Sequence, residues 1–199
     1  MCKERGSNIR PGFAVDIDNV LAVAEPEVQK IYQEITGLSW PQNLYASAGG
    51  LDSSNLERNI INIIFEHFHQ RSIPVLPVNP GSKKALEQLG HHFRIVVITA
   101  RHPESRPQTL DWLQRHELPF DELHFSGDKS DVAENLVLAV DDHPEHAMGY
   151  SNRGIPVFLM DQPWNHGFSA PLVTRVHNWE GLLDSVQQQS PLSNTPFST

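Results

Sequence analysis

The sequence predicts an α/β fold, a central parallel sheet between helical layers with a small helical insert after the first strand. Two observations carry the sheet. Short apolar runs recur, "GFAVDI", "FRIVVIT", "ELHFS", "LVLAVDD" and "IPVFLMD", with helix-like stretches between most of them. Runs such as Ile95 to Ile98 and Leu136 to Val140 are continuously apolar rather than alternating, as strands covered on both faces must be. A third observation carries the insert. Roughly seventy residues separate the first run from the second, far more than a crossover helix needs, so that interval requires structure of its own.

In chain order, "EPEVQKIYQEITG" places Val28, Ile31, Tyr32 and Ile35 on one helical face, with Pro26 suited to the first turn and Gly37 to the stop. "SSNLERNIINIIFEHFHQR" offers a capping box, Ser54 with Glu57, and then a broad stripe of Leu56, Ile60, Ile61, Ile64 and Phe68. Residues 22–76 are therefore expected to be a helical insert folded over the C-terminal end of strand one. Residues 1–21 and 77–187 form the α/β core around it. Within that core, "GSKKALEQLG" spaces Ala85, Leu86 and Leu89 helically and ends at Gly90. "SRPQTLDWLQRH" carries a second capping box, Ser105 with Gln108, ahead of Leu110 and Leu113. "HPEHAMGY" and "NWEGLLDSVQQQ" give shorter helical signals. The Ser/Pro/Thr-rich residues 188–199 are expected to fray.

Composition narrows the function. The 199 residues are 39% hydrophobic and 20% charged, an ordinary globular balance, and no apolar run approaches the ~20 residues of a membrane helix. A net charge of -9, from 15 basic against 24 acidic residues, excludes a nonspecific nucleic-acid surface. A lone cysteine, Cys2, agrees with a reducing compartment, and "MCKERGSNIRPG" has no apolar signal region, so the cytoplasm is expected. A homodimer is left open.

Ligands of parallel sheets bind beyond the carboxyl ends of the strands, so the residues there are the candidates. Asp16 and Asp18 follow strand one; Thr99, Ala100 and Arg101 follow strand two; Lys129 follows strand three; Asp141 and Asp142 follow strand four. Four carboxylates in one partly dry cleft repel each other and call for a cation. Mg²⁺ fits, since it takes hard oxygen ligands and needs neither histidine nor thiolate. A hydroxyl, backbone N–H groups and an ammonium are the donors a phosphoryl group requires.

The ordered set Asp16-x-Asp18-x-Val20, Thr99, Lys129 and Asp141-Asp142 resembles the four motifs of the haloacid dehalogenase superfamily of phosphotransferases. "VDIDNVLA", "VVITAR", "VDDHPEHA" and "VFLMDQPWN" are similar to its 5'(3')-deoxyribonucleotidase subgroup and bacterial relatives. Asn19 stands where that subgroup usually has Gly, and Ala100-Arg101 where its better-known members have Ser-Pro. The resemblance implies a Rossmann-like three-layer sandwich, with the insert as a cap that chooses the substrate. It implies an aspartyl-phosphate on Asp16, acid and base work by Asp18, and Mg²⁺ held by Asp16, Asp18 through its carbonyl, and one or both of Asp141 and Asp142. Thr99, Ala100, Arg101 and Lys129 would bind phosphate, though Arg101 could equally pair with an acid.

The implied partner is a small phosphate monoester, with nucleoside or deoxynucleoside monophosphates leading. Another phosphorylated metabolite, or a noncatalytic nucleotide- or protein-binding relative, are the alternatives. Trp40, Tyr45, Phe65 and Phe68 are candidates to stack on a base; Trp40 and Tyr45, in a Pro-containing loop, have the better claim, since Phe65 and Phe68 sit in an apolar helix and read more readily as insert core. His67 and His69, two apart on a helix, face different ways and do not share an ion. His143 and His146 read as surface helix, His102 could border the pocket, and 161–168 is either a loop beside the metal or a Pro-driven turn. A response-regulator receiver uses similar groups in another chain order, with Lys last. Here Lys129 precedes the Asp pair.

Overall fold

Six strands, β1 (Gly12–Val15), β2 (Arg94–Thr99), β3 (Glu122–Phe125), β4 (Leu136–Asp141), β5 (Val157–Met160) and β6 (Val173–Val176), form one sheet in the order β3-β2-β1-β4-β5-β6. Every neighbouring pair is parallel. A computed structural model provides this structure and describes residues 10–40 and 55–189. The sixth strand has no counterpart among the apolar runs of the sequence. "VTRV" lies at the sheet edge and only Val176 is fully buried, so the unbroken apolarity of a covered strand is missing there.

β1 is buried along its whole length because it lies at the middle of the sheet with a helical layer on each side. Phe13, Val15, Val97 and Phe158 point into one core with side chains of α3 (Ser82–Gly90), α4 (Arg106–Arg115) and α6 (Trp179–Gln189). Ala14, Val96, Ile98 and Ala139 point into the other, closed by Ala147 and Tyr150 of α5 (Pro144–Asn152). Strand order reverses beside β1: the chain steps outward through β2 and β3 on one side and through β4, β5 and β6 on the other. That reversal opens a crevice between the ends of β1 and β4.

Between β1 and β2 lie α1 (Glu25–Thr36) and α2 (Asn55–His67), as the periodicity requires. Val28, Ile31 and Tyr32 of α1 are buried, Pro26 stands in its first turn, and Gly37 ends it at φ 71°, its N–H donating to the Gln33 carbonyl. Ile35, the outermost position of that stripe, is 37% exposed. α2 continues into a π-helical turn, Phe68–Ser72, and a short 3₁₀ turn, Ile73–Val75. The two ends of this segment run side by side, with Val23 N–H donating to the Pro77 carbonyl at 2.9 Å and Asn79 N–H to the Leu21 carbonyl at 2.7 Å. Among the described residues no helix is long and apolar enough to cross a membrane.

Three local expectations fare differently. Ser105 precedes α4 but does not cap it through its side chain; its hydroxyl donates to the His102 carbonyl at 2.7 Å instead. Gly90 is the last residue of α3 rather than a left-handed stop, and His91 N–H closes that end on the Gln88 carbonyl. Ser54, the first member of the other expected capping pair, and the tail beyond 189 lie outside the described residues.

Two buried indoles fix the insert and the last helix to the frame. Trp112 Nε1 donates to the Leu76 carbonyl at 2.8 Å, and Trp179 Nε1 to the Val20 carbonyl at 3.0 Å. Both rings are fully buried, so losing such a bond strands a carbonyl away from water. Trp179→Phe should therefore destabilise the fold by roughly 1–3 kcal/mol, measured by urea denaturation, with the monomer fold retained.

Candidate active site

The end of β1 is shaped by one carbonyl and one side chain. The Ile17 carbonyl accepts from the N–H groups of Val20, Leu21 and Ala22, which turns the chain sharply just past Asp16 and Asp18. Asn19 occupies the left-handed region at φ 61°, where Gly and Asn are the residues best tolerated. Its side chain then does what glycine could not: Oδ1 accepts from Ala24 N–H at 3.2 Å and Glu25 N–H at 2.9 Å, holding the start of α1.

The strand ends bring Asp16, Lys129, Asp141 and Asp142 together. Lys129 opens a 3₁₀ turn after β3, and its ammonium lies 2.7 Å from Asp16 Oδ1 and 2.8 Å from Asp141 Oδ2. Asp141 is fully engaged, because Oδ1 also accepts from His143 N–H at 2.9 Å and lies 3.1 Å from His146 Nδ1. Among the described residues the Asp142 carboxylate has only the long contact from Asn19 Nδ2 at 3.4 Å. One oxygen from each of Asp16, Asp141 and Asp142 falls within 4.8 Å of the others, and all three residues are buried. Three carboxylates thus face one ammonium.

The protonation equilibria follow from this imbalance. Burial pushes the Asp16 carboxyl up to about 6 against the pull of Lys129, with Asp141 and Asp18 adding to the rise. Burial, then the charges of Asp16 and Asp141, raise Asp142 well above the usual carboxylate range. Burial alone would depress Lys129, but Asp141 and Asp16 outweigh it and hold the ammonium protonated. Asp141 is driven down despite its burial by Lys129 and His146. One ammonium, shared by Asp16 and Asp141, does not balance three carboxylates, and their all-oxygen donor set suits a hard divalent cation.

Asp18 is placed differently from the other acids. Arg101 grips it with both ends of the guanidinium, Nε at 2.9 Å and Nη2 at 2.6 Å, and gives Nη1 to Thr109 Oγ1 at 3.2 Å. Arg101 thereby pairs with an acid, and that acid is Asp18 rather than Asp142. Thr99 is buried at the end of β2, its hydroxyl accepting from Arg101 N–H at 3.2 Å.

A cleft of about 330 Å³ opens over these groups. Asp16, Asp18, Ala100, Lys129 and Asp142 stand on its core side; Val28, Phe65, Phe68 and His69 from the insert form much of the opposite wall. Trp40 packs edge-on against Tyr32 at 5.2 Å and is not among the cleft's lining residues. Tyr45 lies outside the described residues. The 161–168 segment contributes Trp164 to the lining, and Asn165 Nδ2 holds the Asp142 carbonyl at 2.9 Å and the Met160 carbonyl at 2.8 Å. This segment is a Pro-initiated 3₁₀ turn and also a brace beside the acidic cluster. His69 and His146 were not readable as lining groups, because each depends on which way a helix presents its side chains; Phe65 lines the cleft although insert core was the favoured reading, His143 lines it from just ahead of α5, and His102 was suggested only by its place after Arg101.

The family described as 5' nucleotidase, deoxy (pyrimidine), cytosolic type C matches residues 10–189. The chain belongs to that nucleotidase family. A candidate nucleotidase of Bacillus subtilis is 30% identical over 111 residues, covering 53% of this chain and 56% of that protein. A candidate 5'(3')-deoxyribonucleotidase of Chlorobaculum tepidum is 28% identical over 115 residues, covering 54% of each. The chain thus spans little more than half the length of these relatives. A haloacid dehalogenase-like hydrolase from Streptococcus pneumoniae shares the fold at a TM-score of 0.65 and 15% identity, over 89% of this chain and 99% of that one.

The charge imbalance has a measurable consequence. Titrated magnesium should raise the melting temperature of the nucleotidase-family protein, by an amount equivalent to about 2.7 kcal/mol at a hundredfold excess over the dissociation constant. Asp142→Asn should abolish that response. The Asp16 carboxyl, near 6 when folded and 3.8 when unfolded, binds more protons in the folded state between those values, so its charging costs stability as pH rises. Asp16→Asn loses a Lys129 partner at every pH, but in metal-free buffer its stability relative to wild type should shift in the variant's favour as pH rises from about 4 to about 6, by thermal melts at each pH.

Proposed function

We propose that the protein is a magnesium-dependent phosphomonoester hydrolase acting on nucleoside or deoxynucleoside monophosphates. The observation that carries this reading is the meeting of Asp16, Lys129, Asp141 and Asp142 at the open end of a parallel sheet, beneath a cleft whose far wall is largely apolar. Membership of a nucleotidase family supports the substrate class.

Asp16, Asp142 and the backbone carbonyl of Asp18 would hold the ion, while Asp141 is committed to Lys129, His143 and His146. When bound, magnesium offsets the carboxylate charge that would otherwise repel a phosphate and polarises the phosphoryl oxygens. Lys129, the Thr99 hydroxyl and the Ala100 N–H meet the remaining oxygens. Lys129 stays charged throughout, since two carboxylates fix its proton.

Asp16 attacks phosphorus in line, and as the new P–O bond forms the bond to the ester oxygen breaks. The departing oxygen takes a proton from Asp18. Water then attacks the phosphorus of the aspartyl-phosphate, gives its proton to Asp18, and displaces Asp16, so inorganic phosphate leaves and both carboxyl groups return to their starting states. Asp18 is gripped by Arg101 through both oxygens, so one of those bonds opens before Asp18 carries a proton. Arg101 serves here to position Asp18.

Phosphate release from a panel of nucleoside 5'-monophosphates, deoxynucleotides and sugar phosphates tests the reading. Release should require magnesium, favour the nucleotides, and fall at least about a thousandfold in Asp16→Asn. Release from sugar phosphates alone would replace the substrate class and keep the chemistry; no release from any ester would favour a binding role.

A further inference from the structure

The insert side of the cleft holds polar groups that phosphoryl transfer does not use. His69 sits on the π-helical turn that ends α2, an irregularity often found where a helix serves a ligand. Its ring lies 4.8 Å from that of His102, which follows Arg101 on the core side, so one imidazole from each wall meets across the cleft. Phe65, one helical turn before His69, stacks on it at 6.3 Å and 28°, and Phe68 meets it edge-on at 5.7 Å. The four rings thus form one aromatic cluster among the residues that line the cleft.

His69 carries no charge there. Burial holds its imidazolium down to about 4, further than the nearby Asp18 carboxylate can restore. Its Nδ1 is buried without a hydrogen-bond partner among the described residues. An unmet lone pair costs less than an unmet N–H in that position, which places the proton on Nε2, the nitrogen left to a ligand. An uncharged ring is poorly suited to bind a phosphate dianion and well suited to a neutral hydrogen-bonding edge. The anion has Lys129 and the cation site at the other end of the cleft.

We infer that His69, supported by His102 and Phe65, is the specificity-determining group for the leaving alcohol, receiving a flat heteroaromatic ring on its aromatic surface and donating one hydrogen bond to that ring's polar edge. This deepens the proposed function and rests on it: the substrate class is a phosphate ester whose alcohol carries a nucleobase, and His69 separates such esters from those of simple alcohols or acids.

The test compares a nucleoside 5'-monophosphate with acetyl phosphate, whose small leaving group cannot reach the ring surface, in wild type, His69→Phe and His69→Gln. His69→Phe keeps a ring and loses the donor. It should lower kcat/KM for the nucleotide about tenfold, chiefly through KM, the size of one lost neutral hydrogen bond, while acetyl phosphate stays within about twofold of wild type. His69→Gln, which restores an edge N–H, should recover part of the loss. Parallel losses on both substrates would make His69 a merely structural contact between insert and core and overturn the inference, as would unchanged nucleotide kinetics. Wild type that releases phosphate from acetyl phosphate and from no nucleotide would overturn the nucleotide reading itself, and the role of His69 with it.

Discussion

One buried ammonium between two buried carboxylates sets the terms for the rest of the molecule. The Lys129 side chain is 1% exposed, and removing such a charge from water costs several kcal/mol unless partners replace the solvent. Asp16 and Asp141 do so at 2.7 and 2.8 Å. These three residues come from the ends of β1, β3 and β4, so the pairing is satisfied only when the strands are in register and the turns after them are held. Breaking one arm would leave a buried charge uncompensated, a loss of the order of 3–5 kcal/mol. The arrangement also overshoots: with Asp142 beside it the cluster has more anion than cation, and that excess, with one oxygen of each carboxylate close to the others, gives it a donor set that could hold a cation.

Neutral amides hold this cluster in shape. Asn165 fixes the Asp142 carbonyl, Asn19 fixes the start of α1 and reaches toward the Asp142 carboxylate, and Gln162 Nε2 donates to the Asn19 carbonyl at 3.4 Å. A charged brace would have changed the electrostatic balance of the acidic cluster; an amide satisfies backbone groups and leaves that balance alone. The indole of Trp179 completes the same task from behind, gripping the Val20 carbonyl within the turn that follows Asp18.

β1 and β2 were legible in the sequence because burial on both faces leaves an apolar run, and β6 was not because Thr174 and Arg175 interrupt it and only Val176 is buried; β3, the other edge strand, still showed in "ELHFS". Asp16, Lys129, Asp141 and Asp142 were legible for the same reason, since a residue at a strand end has its place fixed once the strand is found. Side-chain direction off helices is a different matter. Nothing in the spacing of His67 and His69 says that α2 relaxes into a π turn at Phe68 and that His69 then faces the cleft. Nor does the sequence show that Trp40 rests on Tyr32 rather than over the site, or that Ser105 donates to His102 instead of capping α4. Those outcomes depend on tertiary neighbours, which local pattern does not encode.

Arg101 shows how the site and the insert are joined. Its planar fork takes both oxygens of Asp18, a third N–H reaches Thr109 on α4, and its charge lies 6.0 Å from the Phe68 ring on the insert. A lysine could supply the charge but not three directed donors and a flat face at once. The residue after Ala100 therefore ties strand one, α4 and the insert into one unit, with its side chain wholly buried. Any change in how the insert sits against the core moves Phe68, and through the guanidinium it moves Asp18. The coupling is direct because one guanidinium meets both the Phe68 ring and the Asp18 carboxylate.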